Sequence, residues 1–135
     1  MILVDSNIIL DILTFDSNWY EWSSNKIKLL SQSHELIIND IIYTEISIGF
    51  KKIEELETVI NENFFKFTPM SKEALFLAGK AFQKYKLNGG TKNLILADFF
   101  IGAHASILKI DLLTRDISRY KTYFPKINLI TPKYP

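Results

Sequence analysis

Four acidic residues stand where a folded chain has reason to avoid them. Asp98 is the one charged residue in LILADFFIGAHASIL (residues 94–108, histidine counted as neutral), and Asp5 closes the apolar run MILV. Glu45 interrupts IIYTEISIGF, and Asp116 follows directly on DLLTR. A buried carboxylate needs a hydrogen-bonded partner, a proton or a cation. Taken singly, such a residue is more often hydrogen-bonded or ion-paired than a ligand, and an Asp after a strand is commonly a helix N-cap. Taken together, four converging carboxylates repel one another, and the core offers no evident Lys or Arg to neutralise them. One shared cation site follows, and oxygen-only ligands suit Mg²⁺ or Mn²⁺ rather than zinc. That is the apparatus of metal-dependent phosphodiester chemistry, in which the cation polarises a phosphate oxygen and acidifies a water. Asn7 and Thr114, close to Asp5 and Asp116 in the chain, are placed to orient ligands or waters.

The elements that position these acids are legible from periodicity. Short apolar runs at residues 2–4, 35–38, 64–68, 110–114 and 127–130 read as strands, the last before Pro132 and Pro135. Helices are expected over 7–13, 18–31, 40–49, 51–63, 71–87, 93–109 and, as a short turn, 116–123. Asn18 with Glu21 resembles a capping box, Asp40 and Ser71 are candidate N-caps, and Asn88-Gly89-Gly90 is a helix stop. The helix over 93–109 is apolar nearly all round and is expected to be central. Helical geometry places Glu45 between Ile41 and Ile42, flanked by Ile48 and Gly49, and places Asp98 with Leu94, Ile95, Ile101, Gly102 and Ala105; both faces point inward. Strands alternating with helices imply a three-layer α/β/α sandwich around a mainly parallel twisted sheet of four to five short strands. Ligands in such folds lie beyond the carboxyl ends of the strands, where Asp5 and Asp116 fall.

Bulk properties narrow the class. A chain of 135 residues with 47% hydrophobic content suits a single domain over 1–135. The absence of cysteine excludes disulfides, thiolate catalysis and cysteine zinc sites. A net charge of +1 provides no global basic field, so any nucleic-acid contact must be local. No apolar run is long enough to span a bilayer, and the N-terminus has no basic signal-peptide region, so a soluble cytoplasmic protein is the expectation.

With these residues in view, the chain resembles the PIN domain family, and within it the VapC-type toxins of toxin–antitoxin pairs. The resemblance rests on VDSN (4–7), TEI (44–46), LADFFIGAHA (96–105) and LLTRDISRYKTYFP (112–125), in that order and across essentially the whole chain. It implies a Mg²⁺/Mn²⁺-dependent endoribonuclease of α/β/α fold, with Asp5, Glu45, Asp98 and Asp116 as the catalytic and metal-binding acids. Asn7 corresponds to the small polar residue after the first acid, and Thr114 to the hydroxyl residue before the fourth. A homodimer, an RNA substrate and a VapB-like antitoxin are implied as well. The segment NGGTKNLILAD lacks the additional acid that some relatives carry, which bears on a second metal.

Other residues admit two readings. Arg115 and Lys92 are candidate RNA phosphate contacts, or solvated cations. Asp11 either reaches the site or forms an ion pair, and His104 reads as a core histidine. Tyr20, Trp19 and Trp22 pack or stack bases. Two rival functions share the pattern. One is a phosphohydrolase or phospho-receiver domain with Asp5 as the phosphate acceptor, and the other is a non-catalytic PIN-like RNA-binding module.

Overall fold

Every residue of β1 (Ile2–Val4) and β2 (Leu36–Ile38) is buried. Successive strand residues face opposite sides, so both faces of the sheet are covered, as the α/β/α expectation requires. The computed structural model describes residues 1–133, and Pro135 lies outside them. With β3 (Lys66–Phe67), β4 (Asp111–Leu113) and β5 (Leu129–Ile130), the strands form one five-stranded parallel sheet in the order β3-β2-β1-β4-β5. Order runs outward from β1 in one direction and from β4 in the other, so the switch point lies between these two strands. Val4 pairs with Leu113, and Asp5 N–H donates to Leu113 C=O at 2.9 Å. Asp5 and Thr114 therefore leave neighbouring strands side by side at the crevice where open parallel sheets bind ligands.

The helices are α1 (Ser6–Leu13), α2 (Tyr20–Ser31), α3 (Asp40–Ser47), α4 (Ile53–Glu62), α5 (Lys72–Leu87), α6 (Ala97–Leu108) and α7 (Ser118–Tyr123). Two residues separate α6 from β4, so α6 runs back across the sheet and its first turn, with Asp98, lies at the carboxyl edge. Phe99 on α6 fills the seam with α5 and α7, its ring 5.8 Å from Phe82, 5.5 Å from Tyr85 and 5.5 Å from Tyr123. Gly102 allows α6 to approach the residue after α7: a Cβ there would overlap the Phe124 ring. Gly102→Ala is expected to destabilise the fold by about 1–3 kcal/mol, the usual cost of overpacking. An unchanged urea midpoint would count against this close approach. No helix among the described residues is long and apolar enough to cross a membrane.

Several boundaries differ from the periodicity reading, each for a local reason. Asn39, not Asp40, caps α3: its Oδ1 accepts Ile42 N–H at 2.9 Å, while Asp40 Oδ1 takes Met70 N–H at 2.9 Å. The start of α2 is organised by Asp16, whose Oδ1 accepts the N–H groups of Asn18 and Trp19, and no capping box forms. Helix α6 begins at Ala97 rather than near residue 93, and Leu94 is 81% exposed. Ile48 is 86% exposed, so the inward stripe of α3 ends before it. Ser71 does cap α5, accepting Ala74 N–H at 3.2 Å, and the helix stops at Asn88 with Gly89 at φ 89°.

Candidate active site

Asp5 occupies the N-cap position of α1 with extended backbone, φ −66° and ψ 150°, yet its side chain caps nothing. The carboxylate turns towards β4 and α7. Its Oδ2 accepts Thr114 Oγ1 at 2.8 Å and the Tyr120 hydroxyl at 2.9 Å, with Asn7 Nδ2 more distant at 3.5 Å. Ser6 Oγ lies 3.4 Å from Asp5 Oδ1 and 2.8 Å from Glu45 Oε1. A hydroxyl has one proton to donate, so Ser6 serves Glu45. This contact fixes Glu45, half-buried on α3, beside the start of α1.

Thr114 is the hub of the second half of the site. Fully buried, it donates to Asp5 and receives Asn7 Nδ2 at 3.2 Å and Asp116 N–H at 3.1 Å. Asn7 Oδ1 in turn accepts Arg115 N–H at 3.3 Å. Asp116 is exposed, and its Oδ1 accepts the N–H and Oγ of Ser118 at 3.2 and 3.1 Å, a turn that leads into α7. Asp98, in the first turn of α6, accepts Arg119 Nη1 at 3.1 Å.

The acids sense one another. Burial raises the Asp5 pKa to about 6; the Thr114 and Tyr120 hydrogen bonds oppose that rise, and repulsion from Asp98 and Glu45 adds to it. Burial also raises the pKa of Asp98, against the Arg119 hydrogen bond and with repulsion from Asp116. Burial, followed by the charges of Asp5 and Asp98, raises the Tyr120 hydroxyl well above its usual range. Asp98 and Glu45 therefore lie within electrostatic reach of Asp5, and Asp116 within reach of Asp98.

Donor chemistry and charge in this pocket fit a hard divalent cation: carboxylate oxygens, with Arg119 on Asp98 the one ion pair made by the four acids among the described residues. The side chains do not stand as a closed cage. Among the described residues no three acids or histidines are close enough to hold one ion, and Ser6, Arg119 and Ser118 engage Glu45, Asp98 and Asp116 individually.

Three participants were not singled out by sequence reasoning. Arg119 supplies the neutralising cation that the core was expected to lack, and it also lies 5.8 Å from the Tyr85 ring. Tyr120 and Ser6 complete the list. All three lie inside the motifs SRY and DSN, and the signal for Tyr120 is a hydroxyl on an otherwise core aromatic four residues beyond Asp116. Arg115, read as a phosphate contact or a solvated cation, forms a two-pronged ion pair with buried Asp11, at 2.7 and 2.8 Å, and its guanidinium lies 5.0 Å from the Trp19 ring. Lys92 is exposed on the 88–96 connection, where its N–H donates to the Tyr85 hydroxyl at 3.1 Å. His104 is buried, with Nδ1 accepting Asn39 Nδ2 at 3.0 Å, a core role.

An acidic pocket at the switch point of a five-stranded parallel sheet defines a class of α/β domain, and the comparison of sequences identifies it. The chain belongs to the PIN domain family, whose profile matches residues 2–125. No curated protein sequence matches it significantly. Among solved structures, the chain is similar to VapBC2 from Rickettsia felis bound to a promoter DNA fragment, with a TM-score of 0.75 and 21% identity over 98% of this chain and 100% of that one. It is also similar to VapBC-1 from nontypeable Haemophilus influenzae, with a TM-score of 0.73 and 19% identity over 97% and 98% of the two chains. FitAcB from Neisseria gonorrhoeae gives 0.70 and 19% over 97% of each chain. At these identities the likeness is one of fold.

Proposed function

We propose that this single-domain chain is a VapC-like toxin, a divalent-cation-dependent endoribonuclease of the cytoplasm. On this reading it works as a homodimer and is held in check by a VapB-like antitoxin. The observation that carries the reading is the gathering of Asp5, Glu45, Asp98 and Asp116 around the carboxyl ends of β1 and β4, within electrostatic reach of one another, with Arg119 as the one cation ion-paired to these four acids among the described residues. Family membership and the fold shared with VapBC complexes support it.

On this reading Asp5, Asp98 and Asp116, with Glu45, would hold Mg²⁺ or Mn²⁺, which when bound would supply positive charge to the phosphate and acidify a water. Thr114 and Asn7 keep Asp5 and the Asp116 backbone in register. A carboxylate left free by the cation would be available to take up a proton from water. The exposed Asp116 and the half-buried Glu45 keep one side of the pocket open to a polymer.

Incubating the protein with total RNA tests this proposal. Cleavage is expected with Mn²⁺, and it should be lost on adding EDTA and in Asp98→Asn. Cleavage that persists with both EDTA and Asp98→Asn would exclude the metallonuclease.

A further inference from the structure

All the short hydrogen bonds to Asp5 land on one oxygen. Thr114 and Tyr120 donate to Oδ2 at 2.8 and 2.9 Å, whereas Oδ1 has only the 3.4 Å contact with a Ser6 hydroxyl already committed to Glu45. A buried carboxylate, here 5% exposed, needs compensation on both oxygens. The two donors differ in origin. Thr114 follows the end of β4, beside Asp5 at the edge of the sheet. Tyr120 comes from α7, is 1% exposed, and reaches Asp5 from a different element. A single hydroxyl leaves a carboxylate free to rotate about its Cβ–Cγ bond, but two donors from different elements do not.

We infer that Tyr120 is a positioning residue for the cation: with Thr114 it clamps Asp5 Oδ2, so that Oδ1 alone is presented to a divalent ion. The inference rests on the metallonuclease reading and adds to it a residue and a one-oxygen mode of ligation. The pair Arg119-Tyr120 then acts as a unit. Arg119 holds Asp98 and Tyr120 holds Asp5, so the six-residue helix α7 aligns two acids that come from different strand and helix ends.

Mn²⁺ binding to the RNA-free protein, followed by electron paramagnetic resonance and calorimetry, tests the inference. Tyr120→Phe removes one oxygen and is expected to weaken Mn²⁺ binding by about ten- to a hundredfold, the scale for an outer hydrogen-bond partner of a metal ligand. A purely structural Tyr120 would lower the Tm without moving the affinity of the folded fraction. Equal Mn²⁺ affinity in wild type and Tyr120→Phe overturns the inference and leaves the nuclease reading standing. A wild type that binds no Mn²⁺ removes both. A second measurement needs no variant: the Tyr120 hydroxyl proton, shielded from solvent, should be visible by proton NMR and should persist when Mg²⁺ is added. Its loss on Mg²⁺ binding would show that the hydroxyl releases Asp5, which also overturns the inference.

Discussion

Asp5→Asn is expected to cut RNA cleavage by about a hundred- to a thousandfold and, in the same variant, to make the metal-free protein more stable at neutral pH. The loss follows from removing one preorganised charge at the reacting centre, for which two to three orders of magnitude is the usual scale. The gain follows from the sign of the Asp5 shift. Its ordinary value is 3.8 and its folded value about 6, so between these the folded chain binds the proton more tightly than the unfolded one. Stability therefore falls as pH rises through that window, and at pH 7 the full cost applies. At 1.36 kcal/mol per pKa unit the cost is about 3 kcal/mol. Asn carries no charge and can still accept from Thr114 and Tyr120. Urea midpoints in EDTA should therefore place Asp5→Asn above wild type at pH 7, with the difference closing below about pH 4. Burial lowers the His104 pKa and so destabilises the fold as pH falls, but this acts on both proteins alike and cancels in the difference. Mn²⁺ should stabilise wild type and leave the variant nearly unmoved. A variant less stable than wild type at pH 7 in EDTA would mean that the pocket already neutralises Asp5 without a cation.

Such a trade-off would mark a site built against the preferences of a core, and that conflict is why much of the candidate site was legible. Asp5, Asp98 and Glu45 stood out because a carboxylate in an apolar run conflicts with its surroundings, and parallel strands place Asp5 and Thr114 at one edge whatever the details. Arg119 and Tyr120 carry no such conflict. A basic residue and an aromatic on a short terminal helix are ordinary, and their partners lie 21 and 115 residues away in the chain. Periodicity was least reliable at helix starts. Asn39 and Asp40 are equally able to cap, and only the Met70 N–H, thirty residues on, draws Asp40 away. Leu94 and Ile95 extend the apolar pattern of α6 by composition, but the helix begins at Ala97 and leaves them in an exposed connection. An apolar run shows that residues can be buried, not that the chain buries them.

Arg115→Ala is expected to destabilise the protein by about 3–5 kcal/mol, the cost of leaving a buried carboxylate without its cation. Asp11 is 3% exposed on α1 and accepts Arg115 Nε at 2.7 Å, Nη2 at 2.8 Å and Ser23 Oγ at 2.6 Å. Removal of the guanidinium leaves the Ser23 hydroxyl alone to serve that charge. Arg115→Lys keeps a cation but loses the planar fork, so an intermediate loss is expected. Adding Asp11→Asn to Arg115→Ala should recover part of the loss, because the stranded charge goes with it. The pair also has a functional side: it ties α1 and α2 to the loop that carries Thr114 and Asp116, and the Arg115 N–H holds Asn7. A phosphate contact and a structural clamp make opposite predictions for RNA binding. Loss of a phosphate contact would reduce the salt dependence of RNA affinity by about one ion while leaving the urea midpoint in place. The ion pair with Asp11 requires the reverse, a large fall in midpoint with the salt dependence of the folded protein unchanged.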